Sequence, residues 1–255
     1  MLYIKALIFF WLPLMLWAIT FAVPASSATD KISNASNYVF RRSWGADRTV
    51  LLSPSALVID SNKRIIVANQ GLHRMTNISQ KDRTYFNWGD FLNGTSLFSP
   101  SGLALDSAQN IYISDQNNHR IIKCDREYTC THWGTFGNGI GEFNSPSGIA
   151  IDSEDIVYIA DTKNHRIQKF DSAGNYITQW GGEGSGKRRL RNPRAVAVGK
   201  NGYVYVADTG NNRIIRSSAI GKNPKPWGTF GTDKGQFDRP MGIALDSSNS
   251  VYVAD

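Results

Sequence analysis

Three histidines, His73, His119 and His165, stand 46 residues apart, and Asn212 holds the next position of the series after 47. Imidazoles gathered at one level of a repeating structure are ligands that zinc accepts. Asp115, Asp161, Asp208 and Asp255 form a second series, preceded by Asn69, and Arg74, Arg120, Arg166 and Arg213 form a third. A carboxylate, an imidazole and a guanidinium recurring in step have the makings of acid–base chemistry or of a metal centre. Recurrence argues the other way. A site is needed once, whereas a scaffold position is needed in every unit. Asn212 in the histidine series fits a turn before a strand, and the aspartates are expected to accept backbone hydrogen bonds in the turn before it. The arginines five residues on pair either with these aspartates or with the next unit. Asp60, Asp106, Asp152 and Asp246 close an earlier strand in the same manner, and Asn201-Gly202 supplies a tight turn where Gly199 replaces that Asp. His132 lies outside the series and reads as a surface strand residue. No metal ligands, catalytic residues or cofactor are therefore assigned.

The charge pattern gives a different signal. The chain carries 28 basic and 21 acidic residues, net +7. Much of the excess sits in Gly186-Lys187-Arg188-Arg189-Leu190-Arg191-Asn192-Pro193-Arg194, with five cations and no acid, where the equivalent Gly134-Thr135-Phe136-Gly137-Asn138-Gly139 has none. Such a loop attracts polyanions, against the plain alternative of a solvated loop without a partner.

These residues sit on a long repeat. Pro54, Pro100, Pro146, Pro193 and Pro240 are spaced by 46, 46, 47 and 47, and Trp88, Trp133, Trp180 and Trp227, each followed by Gly, share the register. One unit shows what positions them. Residues 148–152 read as a short strand, and 156–161 as a second strand whose consecutive apolar residues require burial on both faces. Residues 166–170 alternate like a half-buried strand, and 176–180 form a fourth. Four strands per unit of this length predict an all-β propeller of four-stranded antiparallel blades, with strand one nearest the axis. In such blades the connector after strand four and the turn after strand two share one face. Lys187, Arg188, Arg189 and Arg191 are thereby placed near Lys163 and His165, with Lys222 and Lys225 adding to the rim.

The unit Gly148-Ile149-Ala150-Ile151-Asp152 followed by Tyr158-Ile159-Ala160-Asp161-Thr162-Lys163-Asn164-His165-Arg166-Ile167-Gln168-Lys169-Phe170-Asp171 resembles an NHL repeat. The stretches 113–121 and 206–214 match with decay, and 67–74 matches least. The resemblance covers residues 38–255 and implies a six-bladed propeller when complete. It implies no single function, because the family spans ubiquitin-ligase substrate domains, RNA binders, receptor ectodomains and a zinc-dependent amidating lyase. The lyase would need histidines at non-equivalent places with a catalytic Arg and Tyr, and only His132 lies off the repeat position.

Residues 38–44 resemble a fourth strand, and the fifth unit reaches only its second strand, so the domain is expected to be incomplete at its C-terminus. Residues 1–28 carry one charge, Lys5, an apolar run over 6–23, and small residues at Ser26 and Ala28. This pattern predicts a cleaved signal peptide, with an uncleaved membrane anchor as the alternative. Residues 29–37 read as a linker. Export agrees with three glycosylation sequons, at Asn34, Asn77 and Asn93, and with a disulfide between Cys124 and Cys130 across a turn. In the repeat these cysteines align with Phe170 and Ile177. The expected function is a secreted, non-enzymatic interaction propeller that binds a protein or anionic polymer on one face. The alternatives are a lyase-like enzyme of the amidating type, or an RNA-binding or ubiquitin-ligase-type NHL domain. The leader argues against nucleic acid, and no small-molecule substrate is evident.

Overall fold

The computed structural model describes residues 19–24, 38–44, 50–79, 81, 84–89 and 96–255. The sequons Asn34 and Asn93, the linker and most of the expected leader lie outside these residues.

Four four-stranded antiparallel sheets follow one another along the chain, each in sequential strand order. Blade 1 comprises Pro54–Ile59, Arg64–Asn69, Arg74–Ser79 and Tyr85–Trp88. Blade 2 comprises Pro100–Leu105, Ile111–Asp115, Arg120–Cys124 and Cys130–Trp133. Blade 3 comprises Pro146–Ile151, Val157–Asp161, Arg166–Phe170 and Tyr176–Gly181. Blade 4 comprises Ala195–Val198, Tyr203–Asp208, Arg213–Ser218 and Lys225–Trp227. Gly242–Leu245 and Val251–Ala254 form a fifth, two-stranded sheet. Tyr38–Trp44 is a strand as expected, but it pairs antiparallel with Ile19–Pro24.

The first strands of successive sheets contact one another, so strand one is the innermost. The inner strands approach so closely that a Cβ on Gly102 would lie 2.1 Å from the Ser147 carbonyl oxygen, and one on Gly148 2.6 Å from Ala195 Cα. No residue but glycine fits there without moving the neighbouring blade.

The core lies between blades. Ile66, Ala68 and Met75 of blade 1 pack with Leu103, Ile113 and Ile122 of blade 2. Tyr112 and Ile121 of blade 2 meet Ile149, Ile159 and Phe170 of blade 3. Tyr158 and Ile167 then meet Val196, Val204 and Ile215 of blade 4. Each second strand is covered on both faces, which explains its unbroken apolar run. The third strand departs from expectation. Arg166, Ile167, Gln168 and Phe170 are all buried and only Lys169 is half-exposed. Its polar side chains are turned inward to satisfy a buried carboxylate.

Cys124 and Cys130 are disulfide-bonded cross-strand partners, with Cα atoms 4.0 Å apart. The equivalent partners in blade 3 are Phe170 and Tyr176, which corrects the alignment of Cys130 with Ile177 by one residue. The bridge thus stands where blade 3 has an aromatic pair with centroids 6.0 Å apart. Because the bridge closes only a short loop, reduction should cost about 2 kcal/mol, leaving the fold cooperative. Non-reducing peptide mapping should recover one linked pair, and finding both thiols free to alkylation would contradict it.

Candidate functional site

The site is built outward from Asp161 and its equivalents. Asp161 is fully buried. Its Oδ1 accepts the Asn144 backbone N–H at 2.8 Å. Asp115 accepts from Phe98, Asp208 from Arg191 and Asp255 from Asp238 in the same way, and Asn69 accepts from Leu52. The backbone N–H they take thus comes from the preceding connector and not, as the sequence suggests, from the turn that follows; that turn donates to Asp115, Asp161 and Asp208 only through the side chains of Asn118, Asn164 and Asn211. The aspartates hold the connector that precedes their own blade. Asp60, Asp106, Asp152 and Asp246 do serve local turns: Asp152 Oδ1 accepts from Glu154 and Ile156 N–H, and Asp246 from Ser248 and Ser250. The Asn201 side chain accepts from Tyr203 N–H, confirming the alternative turn at Gly199.

The second oxygen of each deep aspartate takes the repeat arginine of its own blade. Arg120, Arg166 and Arg213 donate through Nε to Asp115, Asp161 and Asp208 at 2.8, 2.8 and 2.7 Å. The remaining donors clamp the connector. Arg166 donates to the carbonyls of Asn138, Gly139 and Glu142, and Arg213 to those of Ser185, Gly186 and Arg189.

The recurring histidines are also committed to the scaffold. Each ends a single 3-10 turn in the left-handed conformation, with φ of 52, 55 and 56° at His73, His119 and His165, and 52° at Asn212. Their Nδ1 atoms accept the backbone N–H of Ser99, Ser145 and Asn192 at 3.0–3.1 Å. Asn212 Oδ1 does the same for Arg239 at 2.9 Å. A carboxamide oxygen and an unprotonated Nδ1 are interchangeable acceptors here, and both residue types tolerate left-handed backbone. His132 is exposed on a strand, as expected. Among the described residues no group of three or more His, Cys, Asp or Glu is placed to hold a metal ion. A cavity of about 630 Å³ beside blade 4 is lined by Tyr205, Arg216, Lys225, Trp227 and Val251 among others, without an acid or a histidine.

The strand-two turns and the connectors share one face. Lys163 N–H donates to Asn144 O, and Gly210 N–H to Arg191 O. On this face the basic loop is a closed hairpin. Gly184 N–H bonds Leu190 O and Leu190 N–H bonds Gly182 O, while Leu190 is 2% exposed and anchors the loop. Lys187, Arg188, Arg189 and Arg191 are exposed around it, as is Lys163 on the neighbouring turn. The bond from Asn192 N–H to His165 places the loop against the blade 3 turn, as expected. Lys222 belongs elsewhere: it closes the turn between strands three and four, at the opposite face, because successive antiparallel turns alternate sides. Lys225 begins the strand that follows this turn, so the rim expected from these two residues is not formed.

The loop before blade 3 has the same backbone bonds without the cations, Phe143 N–H to Thr135 O and Gly137 N–H to Phe143 O. Glu142 there accepts from Gly139 N–H, at the position that Arg189 occupies one unit later. The shape of the loop thus does not require positive charge. Sequence reading missed the aromatic members of this face. Phe136 and Phe230 are 67 and 68% exposed, and their signal was one shared repeat position where Glu183 stands between them. It also assigned Asn77 to a glycan. The Asn77 side chain is 2% exposed, donates to Tyr128 Oη and accepts from Trp88 Nε1, a placement that leaves no room for one.

Two outcomes follow. Asp161→Ala leaves Arg166 and the Asn144 amide without their buried acceptor, and should lower unfolding free energy by about 3–5 kcal/mol in denaturant titration. The second concerns pH. Burial, and then the charge of Lys163, push the His119 pKa below its ordinary value of 6.5. The unfolded chain therefore binds the proton first, so this contribution to stability is complete above 6.5 and is lost as pH falls through the lower folded value. His119→Asn keeps the acceptor and should flatten the dependence of melting temperature on pH between 7 and 5. An unchanged slope would show that the Nδ1 bond is not the acid-sensitive element.

The NHL repeat model matches residues 99–124, 143–170 and 190–216. No curated protein matches the sequence. Among solved structures, a streptogramin B lyase is similar with a TM-score of 0.61 at 16% identity, over 79% of this chain and 61% of that one. A nidogen/laminin complex contains a chain similar with a TM-score of 0.69 at 16% identity, over 93% of this chain and 85% of that one. A gluconolactonase from Xanthomonas campestris is similar with a TM-score of 0.62 at 12% identity, over 79% of this chain and 68% of that one. The chain thus spans about three-fifths of the length of the streptogramin B lyase. At these identities the likeness shows the fold and no shared activity. The matched NHL repeats lie on three consecutive blades, blades 2 to 4, of this β-propeller.

Proposed function

We propose that this propeller is a non-enzymatic interaction module whose connector face binds an anionic protein or polymer outside the cytosol. The observation that carries this is the hairpin bearing Lys187, Arg188, Arg189 and Arg191. Its backbone is held by Arg213 and Leu190, while its four cations are exposed and unneeded for its shape. Two further features support the reading. The residue types that would do chemistry, the recurring Asp, Arg and His, are spent on holding connectors. The nidogen/laminin complex shows a propeller of this shape in a protein–protein assembly.

Export is supported by the apolar leader pattern and the Cys124–Cys130 bridge. Among the described residues no helix is long and apolar enough to cross a membrane.

The test replaces Lys187, Arg188, Arg189 and Arg191 with serine. Binding to a polyanion releases counterions, so affinity should fall steeply with salt, and the variant should elute from heparin well before wild type. Its stability should change by only about 0.5 kcal/mol per exposed position. Equal elution of a folded variant would overturn the proposal, and so would unfolding, because the loop would then be structural.

A further inference from the structure

The chain departs from its own repeat at two places just before adjacent inner strands. In blades 1 to 3 the residue after the leading proline is Ser55, Ser101 or Ser147. Each hydroxyl ties its blade to the next: Ser55 donates to Pro100 O at 2.8 Å, Ser101 to Pro146 O at 3.1 Å and Ser147 to Arg194 O at 2.8 Å. In blade 4 this residue is Arg194. The tie it cannot make is supplied by Thr209, whose hydroxyl donates to Pro240 O at 2.6 Å. Thr162 makes the matching bond to Pro193 O at 2.8 Å. The Arg194 side chain is thus released from the structural duty of its position.

Its backbone is not released. Arg194 N–H donates to Ala207 O at 3.1 Å and its carbonyl accepts Gly148 N–H at 2.8 Å. The residue is fixed at the connector-face end of the innermost strand, partly buried. Among the described residues its guanidinium has no carboxylate partner.

The second departure is Arg239, in the pre-proline position held elsewhere by Ser53, Ser99, Ser145 and Asn192. It keeps their left-handed backbone, with φ of 63°, and its side chain is exposed. Burial, and then the charge of Arg239, lower the Arg194 pKa. Arg194 follows Pro193 and Arg239 precedes Pro240, so both stand at the connector-face starts of the inner strands of blade 4 and of the fifth sheet, which contact each other, and an anion between the two cations would relieve their repulsion.

We propose that Arg194 and Arg239 form an oxyanion site at the connector-face end of the inner strands, taking a single carboxylate or phosphate group. Guanidinium forks match either group bidentately. This site goes beyond the basic loop and stands whether or not the loop binds a polymer.

The experiment is calorimetric titration at matched ionic strength, with inorganic phosphate and succinate as separate probes. At least one should bind wild type saturably at one site. Which one saturates distinguishes the phosphate source from the carboxylate source. Arg194→Ser restores the residue of blades 1 to 3, and Arg239→Ser that of Ser99 and Ser145, so both should fold. Each should weaken binding at least about tenfold, the scale of a lost charged hydrogen bond. Arg194→Lys keeps the charge but not the fork and should also weaken it. The fourfold serine variant of the basic loop should bind the probe within about twofold of wild type. The proposal is overturned if neither anion saturates, if Arg194→Ser binds like wild type, or if the loop variant alone abolishes binding. The heparin result for the loop stands apart from all of these.

Discussion

A carboxylate with no exposure to water cannot remain charged without partners, and this chain buries one at the end of the second strand of blades 2, 3 and 4. The cost of desolvating such a charge is several kcal/mol, so its lone pairs have to be filled with directed donors. Around Asp161 those donors are the Asn144 amide, Asn164, Arg166 and Gln168. They come from three stretches of one unit: the incoming connector, the turn after strand two, and strand three, which supplies both Arg166 and Gln168. The buried charge therefore sets where the connector lies, how the third strand is turned, and where the arginine points. From that follows the face on which every exposed loop is displayed.

Much of this was legible from spacing. Prolines, tryptophans and aspartates in one register fixed the number of strands per unit, and the continuous apolar second strand required neighbours on both sides. The exchange of a histidine for Asn212 marks that position as scaffold, and their shared acceptor role explains the exchange. What spacing could not show was direction. Asp161 sits beside a turn, and local hydrogen bonding there was the economical reading. The bond instead reaches back 17 residues, a contact that only the closed blade creates. Arg166 and Gln168 alternate with apolar residues and so looked solvated, but they face a buried anion. Asn77 carries the right tripeptide for a glycan, yet its side chain is consumed between Tyr128 and Trp88. A tripeptide signal has no information about burial.

Function is to be sought where the repeat is broken rather than where it is kept. Propellers of similar shape include enzymes and a chain from a protein–protein complex, so the scaffold leaves the activity open. In this chain the breaks gather on one face. Arg189 stands where Glu142 caps the previous loop, Arg194 where serine ties two blades, and Arg239 before a proline that elsewhere follows serine or asparagine. Phe136 and Phe230 add exposed rings to the same connectors. Arg189 and Arg194 each give up a side-chain bond that their counterparts make, while the backbone bonds that shape the face are kept.

The account stands on the buried aspartates holding exposed connectors in place, and amide hydrogen exchange addresses that directly. The Asn144 and Arg191 amides lie in loops, yet each donates to a buried carboxylate, at 2.8 and 2.6 Å. Both should exchange slowly, at rates near those of the strands. Asp208→Asn, with its weaker neutral acceptor, should speed exchange at Arg191 while leaving Asn144 protected. Rapid exchange of both amides in the wild-type protein, at rates typical of free loops, would contradict the account.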